Sequence, residues 1–280
     1  MKRILLLGYV CPVAVLTIAI VFAPESVEAQ SLRQEAVSAV GFQKGRSYFS
    51  PEPFEHYDTV SGNVLLTFTD LSLPGNGGRS LTFQRTYNNL RDVEGQKSRW
   101  TFGLAGMVMR VIEKPVPPNY NFDDNASLIM DTTPEFEMAD GAIRKTMYVT
   151  RPNPATAATM EVRSADFYLY DRQYHFLKMP NGLVCYYDPE TGRLTSVHDQ
   201  YGAVADLVWS AESVVVTQHL GNGQARQVTL TLDADSRVTA MQFGGSTWTY
   251  VYGYEQNDVR DITSVTLPPP RPRVDIQLRH

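Results

Sequence analysis

Short runs in which apolar and polar residues alternate, separated by turn residues, extend over most of the chain. From Asn63, the segments NVLLTFTDL and SLTFQRTYNN flank a turn at Pro74–Gly78, which predicts a β-hairpin with a glycine-rich loop. The segment Trp100–Glu113 continues as strand. After Met160, strand-like runs and turn residues recur about every 8–12 residues, the spacing of all-β proteins. We therefore predict an all-β fold of stacked antiparallel hairpins, preceded by a smaller β-subdomain.

Stretches rich in proline, asparagine and aspartate divide this pattern. The segment SYFSPEPFEHYD (47–58) is interrupted by proline and is interpreted as a lead-in, and Lys114–Pro134 and Arg151–Thr159 are interpreted as loops. The dipeptides at Asn181-Gly182 and Asn222-Gly223 predict type I′ hairpin turns. The predicted organisation is an N-terminal lead-in at 30–44, a β-subdomain at 45–113, a loop-rich joint with short strands at 114–159, a hairpin array at 160–267 and a Pro/Arg-rich tail at 268–280.

A short motif recurs within the array. Gly192–Val197 (GRLTSV) is echoed 44 residues later by Ser236–Met241 (SRVTAM), and 24 residues after that by Arg260–Val265 (RDITSV). A unit of about 22 residues accounts for both intervals if a degenerate copy lies near Val214–Asn222. One such unit is a single hairpin, too small to bury its own apolar face. Neighbouring units must therefore stack to form the core.

Composition supports a folded protein and argues against one class of partner. Of the 280 residues, 43% are hydrophobic and 20% are charged, as in ordinary globular proteins. The net charge is -5, with no run of five or more basic residues, so nucleic acid is not expected as a partner.

The first thirty residues resemble a targeting segment. Lys2 and Arg3 precede the largely apolar stretch Ile4–Phe22, and Val27-Glu28-Ala29 has the small-residue spacing of a signal-peptidase site. We predict a signal peptide at 1–29, cleaved after Ala29, and a protein that is secreted or located in the cell envelope. An uncleaved membrane anchor is the alternative, and membrane contact is expected only in that case.

Cys185 is the single cysteine beyond the predicted signal peptide, so an internal disulfide is not expected. Its neighbours Leu183, Val184 and Tyr186 favour a buried strand residue over a reactive nucleophile.

The residues YYDPETGRLTSVHDQYG (186–202) resemble the tyrosine-aspartate (YD) repeat of RHS-repeat proteins. The residues that carry the resemblance, and that we expect to be structural, are Tyr187, Asp188, Gly192, Arg193, Leu194 and Thr195. The segment Ser61–Asn89, a Gly/Asn-rich hairpin that ends in Arg-Thr-Tyr-Asn, is similar to the start of such proteins. The two matches occur in the family's order and lie within residues 57–266.

The resemblance implies a fold and a role. Family members wind many such hairpins into a hollow β-sheet shell, which is often exported and often encloses a C-terminal toxin. Other members act in adhesion, with glycans or surface proteins as partners. This sequence has only two or three recognisable repeats and lacks the family's self-cleaving aspartate segment. The toxin-delivery role is therefore not inferred, and we expect the N-terminal part of a longer array.

One aromatic stripe is a candidate ligand contact. Trp248, Tyr250, Tyr252 and Tyr254 occupy every second position, so a strand would place their rings on one face. An open face could stack on sugars, whereas a covered face would line the core or shell. Both interpretations stay open at this point, with packing favoured.

The sequence contains no recognised catalytic motif. Serine-hydrolase, zinc-peptidase and nucleotide-binding motifs are absent, and the five histidines lack metal-ligand spacing. The acidic stretches Asn121–Asn125 and Asp233–Ser236 are interpreted as capped turns rather than calcium loops. We therefore predict no enzymatic activity, no cofactor and no metal, and a structural or recognition role. The alternatives are a secreted β-fold hydrolase and a truncated remnant of a toxin-carrying RHS protein.

Overall fold

Antiparallel pairing of consecutive strands builds almost the whole molecule. A computed structural model describes residues 41–42, 46–91, 98–117, 132–150, 152–153, 155–253 and 261–269. Their twenty strands form three antiparallel sheets, with only three short 3-10 turns between them. The prediction of an all-β fold of stacked hairpins is confirmed. The predicted signal peptide, Asn121–Asn125 and Tyr254 lie outside the described residues.

A five-stranded sheet, called the N-terminal sheet below, contains the first strands in chain order. The long hairpin of Val64–Pro74 and Ser80–Asn88 is its centre, and Pro74 pairs with Ser80 across the predicted glycine-rich loop. The segment 47–58, interpreted as a lead-in interrupted by proline, forms a hairpin, because the prolines lie at its exposed edge and tip, where no ladder hydrogen bond is lost. The strands are β1 (Tyr48–Glu52), β2 (Glu55–Asp58), β3 (Val64–Pro74), β4 (Ser80–Asn88) and β5 (Trp100–Leu104).

A twelve-stranded sheet, called the long sheet, contains the predicted hairpin array. Its strands follow one another in chain order without a crossover. The sheet begins at Thr146, earlier than residue 160, because the strand Thr146–Tyr148 of the predicted joint pairs with the strand Val162–Ser164. Its strands are β9 (Thr146–Tyr148), β10 (Val162–Ser164), β11 (Leu169–Asp171), β12 (Phe176–Lys178), β13 (Val184–Tyr187), β14 (Leu194–Asp199), β15 (Gly202–Trp209), β16 (Ser213–His219), β17 (Ala225–Leu232), β18 (Val238–Phe243), β19 (Ser246–Tyr252) and β20 (Ile262–Thr266).

A small third sheet links the other two. Its strands are β6 (Val108–Ile112), β7 (Glu135–Met138) and β8 (Ile143–Arg144). Strand β6 follows β5 closely in the chain but pairs with β7 of the predicted joint instead. The Val111 N–H donates to the carbonyl oxygen of Gly192 at 2.8 Å, which ties this sheet to the repeat motif of the long sheet.

One continuous core lies between the N-terminal sheet and the long sheet. Alternate residues of β15 to β17 point inward, and their side chains pack with Phe83 and Leu104 of the N-terminal sheet. The ring of Phe102 contacts that of Tyr250 edge-on, with centroids 5.5 Å apart. The alternation read from the sequence therefore marks the buried face, as expected for a sheet covered on one side.

The predicted type I′ turns are wrong at both Asn-Gly sites. Gly182 and Gly223 have φ angles of +83° and +71°, whereas Asn181 has no positive φ. In each loop one additional residue precedes the dipeptide, and the closing hydrogen bonds run from Met179 N–H to Leu183 O and from Leu220 N–H to Gln224 O. A two-residue type I′ turn needs a positive φ at both of its residues, whereas a three-residue loop needs it only at the last residue, which here is the glycine.

Across the described ranges, no helix has the length and apolar character needed to cross a bilayer.

Candidate functional site: the repeat clamp and an aromatic cleft

The predicted repeat motif corresponds to a β-bulge that occurs in each of its three recognisable copies. In the first copy, Tyr186 pairs with Ser196 and Tyr187 pairs with Leu194, so Thr195 is the extra residue. Its hydroxyl donates to the carbonyl oxygen of Tyr186 at 3.0 Å. The bulge thus gains a side-chain hydrogen bond where the ladder is interrupted.

The second and third copies repeat this arrangement. The extra residues are Thr239 and Thr263, because the pairing register shifts by one residue at each of them. Their hydroxyls donate to Thr231 O at 3.3 Å and to Val251 O at 3.2 Å. The degenerate copy expected near Val214–Asn222 lacks the bulge, since β16 pairs with β15 and β17 without a register shift.

An arginine and an aromatic ring form a clamp next to two of the bulges. The Arg193 guanidinium lies 4.9 Å from the Trp209 ring centroid, and Trp209 Nε1 donates to the Leu194 carbonyl oxygen at 2.7 Å. In the second copy, Arg237 lies 4.9 Å from the ring of Tyr252, whose hydroxyl donates to Val238 O at 3.0 Å. Each clamp connects the bulge to a later strand of the sheet.

At the third copy, Asp261 occupies the position of this arginine and bonds to the N-terminal sheet instead. Its carboxylate accepts hydrogen bonds from Arg99 N at 2.9 Å and from Arg99 Nε at 2.7 Å. Asp261 is 6% exposed. The last copy therefore joins the long sheet to the segment that leads into β5.

The remaining motif residues shape the turn before the first bulge. The hydroxyl and amide of Thr191 donate to Asp188 Oδ1, both at 2.7 Å, and hold the pKa of Asp188 below its ordinary value. Tyr187 is buried and its hydroxyl donates to the carbonyl oxygen of Val108 at 3.1 Å. Gly192 has φ +66°, and a Cβ there would lie 1.9 Å from the Val111 carbonyl oxygen, so only glycine fits.

Cys185 lies in β13 and is fully buried. Burial raises the pKa of its thiol to about 12, so the thiol stays protonated at neutral pH. This placement matches the interpretation of a buried strand residue, because a nucleophile needs thiolate character and access.

A cleft of about 780 Å³, called the aromatic cleft below, opens between the N-terminal sheet and the last strands of the long sheet. Phe54 and Phe68 line one side and stack with their centroids 5.3 Å apart, and Trp248 lines the opposite side. Leu267 and Pro268 also contribute to its wall. The aromatic cleft thus combines flat rings from two sheets.

A buried ion pair forms the polar part of the aromatic cleft. Asp70 is the extra residue of a bulge in β3, since Thr69 pairs with Gln84 and Leu71 pairs with Phe83. Arg85 Nε donates to both Asp70 carboxylate oxygens, at 3.1 and 3.0 Å. The Arg85 guanidinium also lies 4.4 Å from the Phe68 ring centroid. These contacts hold Asp70 and Arg85 in fixed positions.

Tyr250 connects the ion pair to the aromatic stripe predicted from the sequence. Its hydroxyl donates to Asp70 Oδ2 at 2.9 Å. Burial, with Asp70 nearby, raises the pKa of Tyr250, so its hydroxyl remains a donor. The sequence signal for this pair was an acidic residue, Asp70, within the apolar run of β3.

The structure places the described members of the aromatic stripe on one face of β19, as the alternation predicted. Trp248 and Tyr250 are only 7% and 2% exposed, and Tyr252 is half-buried in its clamp with Arg237. Tyr250 therefore has no open ring face for a ligand. Trp248 borders the aromatic cleft, where ligand contact stays a prediction.

Comparison with known families gives one match. A model described as "Domain of unknown function (DUF6531)" matches residues 55–108, which extend from β2 to the first residue of β6. The N-terminal sheet therefore contains most of an uncharacterised domain. No curated protein matches the chain.

Proposed function

We propose that this chain is an exported scaffold protein of the RHS/YD-repeat type, in which the long sheet is a wall and the N-terminal sheet covers one of its faces. The observation that carries the proposal is the recurrence of the threonine bulge at Thr195, Thr239 and Thr263. A motif that recurs in three dimensions as well as in sequence is typical of repeat architectures.

The contacts between repeats support a structural role for the motif. In each clamp, the aromatic side chain of a later strand donates a hydrogen bond to a carbonyl oxygen beside the bulge. At the third copy, Asp261 bonds instead to Arg99, next to the N-terminal sheet. Asp70, the acidic residue in the aromatic cleft, is engaged by Arg85 and Tyr250 rather than free to act as a general acid or base. This engagement favours the scaffold over a secreted hydrolase.

The test of the scaffold is whether the repeats unfold as one unit. Arg193→Met removes one clamp and keeps the aliphatic stem, and we expect a loss of about 1 kcal/mol in stability. Hydrogen exchange measured by mass spectrometry should show the same loss of stability in the amides of β20 and of β4, because one continuous core lies between the sheets that contain these strands. Arg163→Met is the control, because it removes an exposed Arg–aromatic contact, 5.8 Å from the Phe167 ring centroid, that does not adjoin a threonine bulge. Faster exchange confined to β13–β15 would contradict the proposal.

Export is tested with the full chain expressed in a bacterial host. A mature product whose first residue is Gln30 would support cleavage after Ala29. Retention of the intact chain in the cytosol would contradict the exported role.

A second candidate function is glycan recognition at the aromatic cleft. It is favoured by the stacked rings of Phe54 and Phe68, which stand opposite Trp248 around a space large enough for an oligosaccharide. On a glycan array, Phe54→Ala should weaken binding about tenfold. Phe49→Ala removes another exposed ring on the same sheet, away from the cleft lining, and should leave binding unchanged. Equal binding by both variants would contradict this assignment.

A further inference from the structure

The aromatic cleft contains accessible hydrogen-bond donors that no described protein group satisfies. Among the described residues, Arg85 donates only through Nε, to Asp70, which leaves the protons of both Nη groups free. The Arg85 side chain is 11% exposed and lines the cleft. Trp248 also lines the cleft, and no described group accepts from its Nε1. These three nitrogens keep some accessible surface, so a ligand in the cleft can reach them.

The ion pair in the cleft makes these donors suitable for a neutral acceptor. Both Asp70 oxygens accept from Arg85 Nε, and one of them also accepts from the Tyr250 hydroxyl. The charge of Asp70 therefore balances that of Arg85. A carboxylate ligand would be repelled by Asp70, whereas a carbonyl oxygen can accept from the free donors without that repulsion. The backbone carbonyl groups of a peptide are acceptors of this kind.

The apolar surface of the cleft consists of flat rings and prolines. Phe54 is 40% exposed and stacks on Phe68, with an angle of 20° between the ring planes. The lining also contains Pro53, Pro268 and Pro269. Aromatic-lined grooves bind proline-rich segments as polyproline II helices, which are extended before binding and therefore lose little conformational entropy. Proline lacks a backbone N–H, so such a segment presents mainly acceptors to the cleft.

Two carboxylates lie beside this aromatic surface. Glu52 and Glu55 pair across the turn of the β1–β2 hairpin, on either side of Pro53 and Phe54. Glu52 is exposed and Glu55 is half-buried. Arg85, the basic residue of the lining, is already engaged in its own ion pair. Charge complementarity therefore favours a segment that carries arginine or lysine next to its prolines.

We propose that the aromatic cleft docks a basic, proline-rich segment of a partner protein, bound as a polyproline II helix. The proline rings pack on Phe54 and Trp248, the backbone carbonyl oxygens accept from the free donors, and the basic residues lie near Glu52. A glycan would use the cleft less well, because its hydroxyls also donate and the carboxylate of Asp70 is already engaged. This proposal does not depend on the scaffold role.

The probe is the synthetic peptide Ac-PPPPPPRR-NH2, and its binding to the full chain is measured by calorimetry. The peptide Ac-GSGSGSRR-NH2 has the same charge without the prolines and should not bind. Phe54→Ala should weaken binding of the proline peptide about tenfold, whereas Phe54→Tyr, which keeps the ring, should retain it. Phe49→Ala removes an exposed ring outside the cleft lining and should leave binding unchanged. Glu52→Gln should weaken binding about threefold at low ionic strength and less at high ionic strength.

The indole N–H signals in NMR spectra test the hydrogen bonds directly. The signal of Trp248, assigned with Trp248→Phe, should shift when the proline peptide is added. The signal of Trp209 should stay in place, because Trp209 Nε1 already donates to the Leu194 carbonyl oxygen at 2.7 Å.

Four results would overturn the proposal. Equal binding of the Gly/Ser peptide would show attraction by charge alone, and full affinity in Phe54→Ala would place the peptide elsewhere. A full chain that binds a glycan at the cleft but no peptide would assign the cleft to the second candidate function. Peptide binding only by a chain shortened to Pro269 would assign it to the protein's own Pro/Arg-rich tail. Phe54 is on an exposed turn, so its variants should keep the urea midpoint of the unchanged chain, which is measured alongside.

Discussion

Gly192→Ala should destabilise the protein by about 4 kcal/mol or more, enough to abolish folding of a marginally stable chain. The φ angle of +66° alone costs an L-residue about 1–2 kcal/mol. In addition, the new Cβ would lie 1.9 Å from the Val111 carbonyl oxygen, which is backbone and cannot rotate away. The hydrogen bond between Val111 N–H and Gly192 O would be disturbed by any movement that relieves this contact. Urea unfolding measures the change.

Gly223→Ala is the matched control for this prediction. Its φ angle is +71°, and beyond its two chain neighbours no atom lies within 4 Å of the position that a new Cβ would occupy. We therefore expect a loss of only about 1–2 kcal/mol, from the backbone alone. Similar losses in both variants would show that the close approach of β6 to the repeat turn does not contribute to stability.

Arg172→Met should cost about 3 kcal/mol, because it removes one partner from a buried set of polar groups. Arg172 is 5% exposed. Its Nη2 donates to Glu113 Oε2 at 2.7 Å, and its Nη1 donates to the carbonyl oxygens of Ala157 at 2.9 Å and Thr132 at 3.3 Å. Glu113 immediately precedes the predicted joint, and Thr132 and Ala157 lie within it. The variant should also make the joint more sensitive to limited proteolysis.

Arg163→Met is the control for Arg172→Met, since Arg163 is an exposed residue of the neighbouring strand β10. Substitutions at such surface positions usually change stability by about 0.5 kcal/mol or less. If Arg172→Met lowers the free energy of unfolding by less than about 1 kcal/mol, water satisfies the polar partners of the missing arginine without penalty. Arg172 would then not be needed to hold the joint in place.

Much of this architecture could be predicted from local pattern. Alternation and turn residues located most strands, and the spacing of the three motif copies anticipated their common geometry. These signals are local because side chains alternate along a strand and turn residues act through their own φ and ψ angles. The aromatic cleft was not predictable in the same way. Asp70 meets Tyr250 across 180 positions of sequence, and no pattern in either strand specifies the other.

The sequence by itself therefore determined the all-β class, the hairpin order and the positions of the repeat motif. Only the tertiary structure decided that β6 leaves the N-terminal sheet, that the joint is fastened by Arg172, and that Trp248 and Tyr250 face inward. The physical reason is that strand formation depends on neighbouring residues, whereas burial and the pairing of polar groups depend on which sheets meet in space.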